Sequence, residues 1–334
     1  GDKKRTMFVN IVANNYIWLC FKKILMKYNL KGSIIMKFTK HYVAESDLLK
    51  FINQQYAIKG EKIRLYKGNV FYIQSPIGRK VLKLYEPSCT NEAIQTTHII
   101  PYLDSCGFPV VQIIPTVSSE LYVTFEKSGS NIIGVLFEYA DGIDIGFLHR
   151  WRDNKQPLVN PLARQVGRSV GLMHRLMENY EKPLIHKGKE RFFDTLVWLM
   201  RRDNYDKAKA HDLEIYGIEL WDILKNLPTG FYHADMHTGN AKYRNGQFTW
   251  MDFDMACMSY PVLDLAWLAE TDYVWFHEES IDRSRAVLDE IYAGYSMERT
   301  LIRITSYSCY TLWMSCYKCS NVWRKQKNRP TTNG

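Results

Sequence analysis

Apolar positions along this chain follow two different periods. Residues 45–57 (ESDLLKFINQQYA) repeat at helical spacing with Ser46 or Asp47 placed to cap the start, so a helix is predicted there. Over 62–66, 70–74 and 79–85 the pattern shortens to runs rich in β-branched and aromatic residues, divided by Gly68-Asn69 and by Ser75-Pro76-Ile77-Gly78. Those dividers are turn sequences, and three antiparallel strands follow from them. A helix over 91–105 comes next, then strands near 110–114, 121–126 and 132–138.

Beyond Glu138-Tyr139-Ala140-Asp141-Gly142 the helical period dominates. It runs over 161–180 through Leu162, Val166, Val170, Leu172, Met173 and Leu176, and again over 191–203 and 218–227. A β interlude at 231–254 interrupts it, and helical spacing resumes from Val262. The pattern predicts an α+β chain of two lobes with a cleft between them. A small antiparallel β-sheet lobe with one helix takes 36–137, a joint 138–142, and a larger, mainly helical lobe 143–317. No internal repeat or low-complexity run is present.

Charge changes this picture little once it is located. The formal net charge of +9 divides into +6 over residues 1–35, +5 over 318–334 and −2 over everything between. The ends read as a basic, partly apolar extension and a basic tail, and the body offers no basic groove for nucleic acid. Seven cysteines spread over 334 residues, an odd number at loose spacing, predict reduced thiols and a cytoplasmic address. Cys316 and Cys319 form a lone C-x-x-C, read as two positions on a C-terminal helix.

Residues 7–26 (MFVNIVANNYIWLCFKKILM) are apolar but interrupted by Asn10, Asn14 and Asn15 and ended by Lys22 and Lys23. They predict an amphipathic helix, packed on the body or in weak contact with a membrane surface, and no transmembrane segment. Met36 would also serve as a start, which makes residues 1–35 an upstream extension.

The interlude carries the candidate chemistry. His233, Asp235 and Asn240 stand at H-x-D-x-x-x-x-N spacing, the spacing of a kinase catalytic loop, and Asp252 follows twelve residues after Asn240. An Asp beside an alcohol orients it and accepts its proton, while Asn and a second Asp present hard oxygens to Mg²⁺. Asn245-Gly246 is a tight-turn dipeptide that folds Asp252 back toward Asn240. A rival reading takes His233, Asp235 and His237 as three metal ligands alternating along an extended segment, but it leaves Asn240, Asp252 and Asp254 without roles. A third reading makes all of these solvated loop residues.

The N-terminal half supplies further parts. Lys83 lies in an apolar strand (Val81-Leu82-Lys83-Leu84-Tyr85), where an ammonium requires an anionic partner, and Glu92 early in the next helix is placed to be one. The plain alternative is that Lys83 emerges on the solvated face of the strand. Where a Gly-rich phosphate loop belongs, between the first two strands, only Gly68 is present, which argues against an ordinary protein kinase.

From about residue 45 to 315 the ordered set resembles the aminoglycoside phosphotransferase and choline-kinase-like superfamily. The set comprises Leu82-Lys83, Glu92, Gly107-Phe108-Pro109-Val110, the hinge at 136–142, the helix ending Leu172-Met173-His174, His233 to Asn240, Met251 to Asp254, and PVLDLAWL at 261–268. It is also similar to bacterial spore-coat-associated kinase-like proteins and to a stress-response Ser/Thr kinase of the same fold. The resemblance implies a two-lobed protein-kinase-like fold, ATP with Mg²⁺ as cofactors, and transfer of the γ-phosphoryl to a hydroxyl of a small-molecule acceptor. Matched by position, Asp235 is the catalytic base, and Asn240 and Asp252 are magnesium ligands with Asp254 supporting the metal site. Lys83 contacts phosphate with Glu92 as its partner, Gly68 and Asn69 form the phosphate-side turn, and the backbone of Glu138, Tyr139 and Ala140 meets adenine. His233 and Asp264 support the site, Asp264 as the buried acid that braces the loop.

Acceptor specificity is expected after Asp252. Residues 270–290 hold seven acids against two bases, with Trp275 and other aromatics interleaved, a composition suited to a cationic amine. Glu270, Asp272 and Trp275 are the candidate contacts, and a solvated acidic helix face over core aromatics is the plain alternative. The leading expectation is a small-molecule kinase for an amine-containing alcohol. A Ser/Thr protein kinase or a catalytically silent spore-coat or scaffold protein are the alternatives.

Overall fold

The computed structural model describes residues 44–127, 130–145, 162–184, 228–237, 239–261 and 280–300, with isolated positions between them such as 264, 265 and 268. The expectations for 7–26, 191–203, most of 218–227, the Cys316/Cys319 pair, and Glu270, Asp272 and Trp275 lie outside the described residues. The chain divides into one unit of residues 35–187 and 229–300 and another of 1–34, 188–228 and 301–334. Every element below belongs to the first.

Its N-terminal part is a five-stranded sheet. Strands β1 (Lys62–Lys67), β2 (Val70–Ser75), β3 (Gly78–Tyr85), β4 (Val123–Lys127) and β5 (Ser130–Glu138) lie in the order β1-β2-β3-β5-β4, with every neighbour antiparallel. Alternation divides the faces. Ile73, Leu82, Leu84 and Leu136 pack with Leu48 and Ile52 of helix α1 (Glu45–Gln55) in one apolar cluster. By parity Lys83 takes the opposite face, between Val70 of β2 and Val135 of β5. A second helix, α2 (Thr90–Ser105), follows β3 through a short 3₁₀ turn, so both helices predicted for this part, over 45–57 and 91–105, are present.

Residues 110–114 do not form the expected strand. Val110 bridges to Trp250 while Ile113 bridges to Phe137, so the segment hands over from one sheet to another within four residues. Pro109, which has no N–H, accepts from Trp250 through its carbonyl, and Ile114 donates to Leu136.

The helical part rests on α3 (Leu162–Met177) and α4 (Ser280–Tyr295). Their backbones touch, because a Cβ at Gly167 would lie 1.9 Å from the Ile291 carbonyl oxygen and one at Gly294 1.8 Å from that of Arg164. Glycine is required at both positions, and the close approach brings the Tyr295 hydroxyl within 3.0 Å of His174 Nδ1. Between these helices in sequence, β7 (Gly230–Tyr232), β8 (Ala241–Arg244), β9 (Gln247–Trp250) and β10 (Cys257–Ser259) form two small sheets, with β6 (Ile143–Asp144) at the edge of the second. No helix among the described residues is long and apolar enough to cross a membrane.

Candidate active site

Local sequence closes residues 230–259 into one frame. Asn245 and Gly246 both take positive φ (51° and 85°), as a two-residue hairpin turn requires, and pair β8 with β9. Met251 N–H then donates to the Asn240 carbonyl at 3.0 Å, and β10 returns to pair with β7, Cys257 opposite Tyr232. Asp235, Asn240 and Asp252 are thereby held together. Asn240 Nδ2 donates to the Asp235 carbonyl at 2.8 Å and to Asp235 Oδ2 at 3.1 Å. Asp252 and Ala234 are both left-handed, at φ 67° and 66°. For non-glycine residues that conformation costs about 1 to 3 kcal/mol each, so the surroundings must enforce it.

Asp264 is what enforces it at Ala234. Its carboxylate, fully buried, accepts the N–H of His233 at 2.7 Å and of Ala234 at 3.1 Å. The third donor is His174, whose Nε2 lies 3.0 Å from Asp264 Oδ2. Tyr295 OH faces His174 Nδ1 and in turn accepts from Arg299 Nη1 at 3.0 Å. A neutral His174 protonated on Nε2 satisfies every member, and burial holds its pKa below the ordinary value against the pull of Asp264. Asp264 thus joins the backbone of His233 and Ala234 to the His174 side chain. His174 carries part of the resemblance, whereas Tyr295 and Arg299 carry no local mark that singles them out.

The three-ligand alternation does not assemble. Left-handed Ala234 breaks the extended period, His233 Nε2 lies 3.2 Å from the Met251 carbonyl as its donor, and His237 Nδ1 accepts from Gly239 N–H. Among the described residues no three His, Cys, Asp or Glu side chains converge to hold a metal. Hard oxygens remain elsewhere. Among the described residues the Asp252 side chain uses only Oδ1 in hydrogen bonding and the Asn240 side chain only Nδ2, leaving Asp252 Oδ2 and Asn240 Oδ1, a carboxylate and an amide oxygen of the type that suits a hard divalent cation.

Lys83 is paired, but not as expected. Its Nζ lies 2.7 Å from Asp252 Oδ1 and 2.5 Å from Asp254 Oδ2, and it forms no ion pair with Glu92. Glu92 stands in the first turn of α2, while Thr96, one turn on, donates to Asp254 at 3.2 Å. Burial opposes the charge on Lys83, yet the two carboxylates outweigh it and raise its pKa well above the usual value. Burial also acts on both acids. At Asp252 the Lys83 charge wins and holds the carboxyl low; at Asp254 desolvation, with the charge of Asp252, pushes it up.

The remaining candidates lie in the β1–β2 turn and at the end of β5. Gly68 has φ 58° in the turn between β1 and β2, and the Asn69 side-chain amide is spent on the Leu84 carbonyl, which pins that turn to β3. Asn69 is therefore a turn-holding residue. The Glu138 N–H donates to Gln112 and its carboxylate pairs with Lys80 at 2.6 Å. The Tyr139 ring lies under the Arg79 guanidinium, 4.8 Å from the ring centre, at the end of a row with Tyr72 and Tyr66. Ala140 follows it in the connection to β6.

An antiparallel sheet bearing a lysine opposite its apolar face, followed by a helical part with a braced Asp-Asn-Asp loop, defines a two-lobed protein-kinase-like fold. The chain belongs to the phosphotransferase enzyme family, which residues 63–300 match, and is thereby a phosphotransferase that acts on a hydroxyl group with ATP and a divalent metal. Its structure is similar to that of an amicoumacin kinase in complex with AMP-PNP and Ca²⁺, at 17% identity and TM-score 0.66 over 87% of this chain and 89% of that one. It is similar also to a spectinomycin phosphotransferase in complex with ADP and spectinomycin, at 15% identity and TM-score 0.61 over 87% and 91% of the two chains. A microcompartment-associated aminopropanol kinase aligns at 12% identity and TM-score 0.54 over 86% and 100%. At these identities the likeness is one of fold. No curated protein matches the sequence.

Proposed function

We propose that the protein transfers the γ-phosphoryl group of ATP to a hydroxyl of a small, amine-containing molecule, with Asp235 as the base. The observation that carries this reading is the convergence of Asp235, Asn240 and Asp252 with Lys83, which reaches Asp252 from the sheet at 2.7 Å. Asn240 holds Asp235 Oδ2 and leaves Oδ1 to accept from the acceptor hydroxyl. Orientation and proton acceptance of this kind contribute roughly 10² to 10⁴ in rate.

Asn240 and Asp252 would hold the divalent ion, whose chemistry is to neutralise charge on the transferring phosphoryl group. Lys83 contacts phosphate, and the backbone at Glu138 to Ala140 lines the place for the base. An amine in the acceptor is supported by the acidic, aromatic stretch 270–290 and by the similarity to an aminopropanol kinase.

Turnover of ATP with Mg²⁺ against a panel of amino alcohols and amino sugars tests the reading. Asp235→Ala is expected to lower turnover about 10³-fold with the melting temperature unchanged. Full activity in that variant refutes the assignment of the base.

A further inference from the structure

We propose that Asp254 is the positioning residue of Lys83 and is not a metal ligand, with Thr96 and Tyr85 holding Asp254 in place. The inference rests on the phosphotransferase reading above for what Lys83 does, but its geometry stands by itself. A carboxylate has two oxygens and accepts only a few donors. Asp254 spends both: Oδ2 on Lys83 at 2.5 Å, and Oδ1 on Tyr85 OH at 2.9 Å and Thr96 Oγ1 at 3.2 Å. Asp252 has one oxygen engaged, so the two acids, though two residues apart, are differently committed.

The arrangement also explains why Glu92 is dispensable to Lys83. Helix α2 grips the 253–256 turn at two successive positions, Gln95 Nε2 on the Ala256 carbonyl at 2.8 Å and Thr96 on Asp254. The helix therefore reaches Lys83 through a neutral hydroxyl and an acid on another element, instead of through an acid of its own. Tyr85, two residues after Lys83 on the same face of β3, closes the set, with Lys83 Nζ 5.5 Å from its ring centre. When Asp252 turns toward a cation, Asp254 keeps Lys83 aimed.

The test needs a readout that does not depend on turnover. In the full chain without nucleotide, acylation of Lys83 by an amine-reactive ester, read by peptide mass spectrometry, is expected to rise several-fold in Asp254→Asn and Thr96→Val. It is expected to stay at the wild-type level in Thr96→Ser and Glu92→Gln. Unchanged labelling in the first two, or a rise in Glu92→Gln, overturns the proposal. Thr96→Val is close to isosteric, so it decides the matter even if Asp254→Asn folds poorly.

Direct ATP binding, measured with Mg²⁺ and again with EDTA, separates the two roles of an acid. Loss of one charge-assisted hydrogen bond to Lys83 is expected to weaken ATP about tenfold in Asp254→Asn under both conditions. A loss confined to Mg²⁺ makes Asp254 a metal ligand and overturns the proposal. If wild type binds no ATP at all, the phosphotransferase reading fails, while the labelling result still decides the role of Asp254.

Discussion

Two carboxylate clusters lie close together here and are built in opposite ways. Around Lys83, Asp252 and Asp254 the side chains stay partly open, 35% exposed at Asp252, and a full positive charge is balanced by two negative ones. Around Asp264 the side chains are sealed, 0% exposed at both Asp264 and His174, and the donors are a neutral imidazole and two backbone N–H groups. The open cluster can exchange partners when a polyanion arrives. The sealed one cannot, and its role is to keep the backbone at Ala234 left-handed so that Asp235 stays aimed.

The difference predicts unequal costs of disruption. Asp264→Asn turns an amide toward three buried donors and is expected to cost about 3 to 5 kcal/mol of stability. Lys83→Met is expected to cost about 1 kcal/mol, because Asp252 stays in contact with water and Asp254, already pushed upward, takes up a proton. Urea unfolding of both variants measures this. Equal costs would erase the distinction between the clusters.

Acidification acts on the sealed cluster. His174 is held below its ordinary pKa of 6.5 by burial, so the folded state refuses a proton that the unfolded chain accepts. Its contribution to stability is complete above that pH and is lost as the pH falls below it, with a slope of at most about 1.4 kcal/mol per pH unit. Unfolding free energies between pH 7.5 and 5.5 should show that slope in wild type and less of it in His174→Gln. An identical slope in both would place the titrating group elsewhere.

Local chemistry made the frame of the site legible and left its wiring hidden. Asn245-Gly246 specifies its hairpin because both residues tolerate the positive φ found there, Gly68 does so for the first turn with Asn69 pinning it to Leu84, and the alternation of β3 places Lys83 opposite the apolar face. The partner of Lys83 is another matter. Tyr85 and Asp254 meet across 169 residues, and Thr96 differs from Glu92 by a single helical turn, so spacing alone favours the nearer acid. The strand expected at 110–114 divides for a similar reason, since its two halves answer to partners on different sheets.

The smallest expected effect lies on the outer rim of the helix pair. Glu290 belongs to the acidic stretch that suits an amine, yet it forms a two-point pair with Arg164 of α3, at 2.9 and 3.1 Å, with both side chains well exposed. Such pairs contribute about 0.2 to 1 kcal/mol and are screened by salt. A double-mutant cycle of Arg164→Ala and Glu290→Ala is therefore expected to give a coupling of about 0.5 kcal/mol that fades at high ionic strength. A coupling of several kcal/mol, insensitive to salt, would mean that this rim is built like the sealed cluster beneath it, and the contrast between open and closed carboxylates would no longer follow burial.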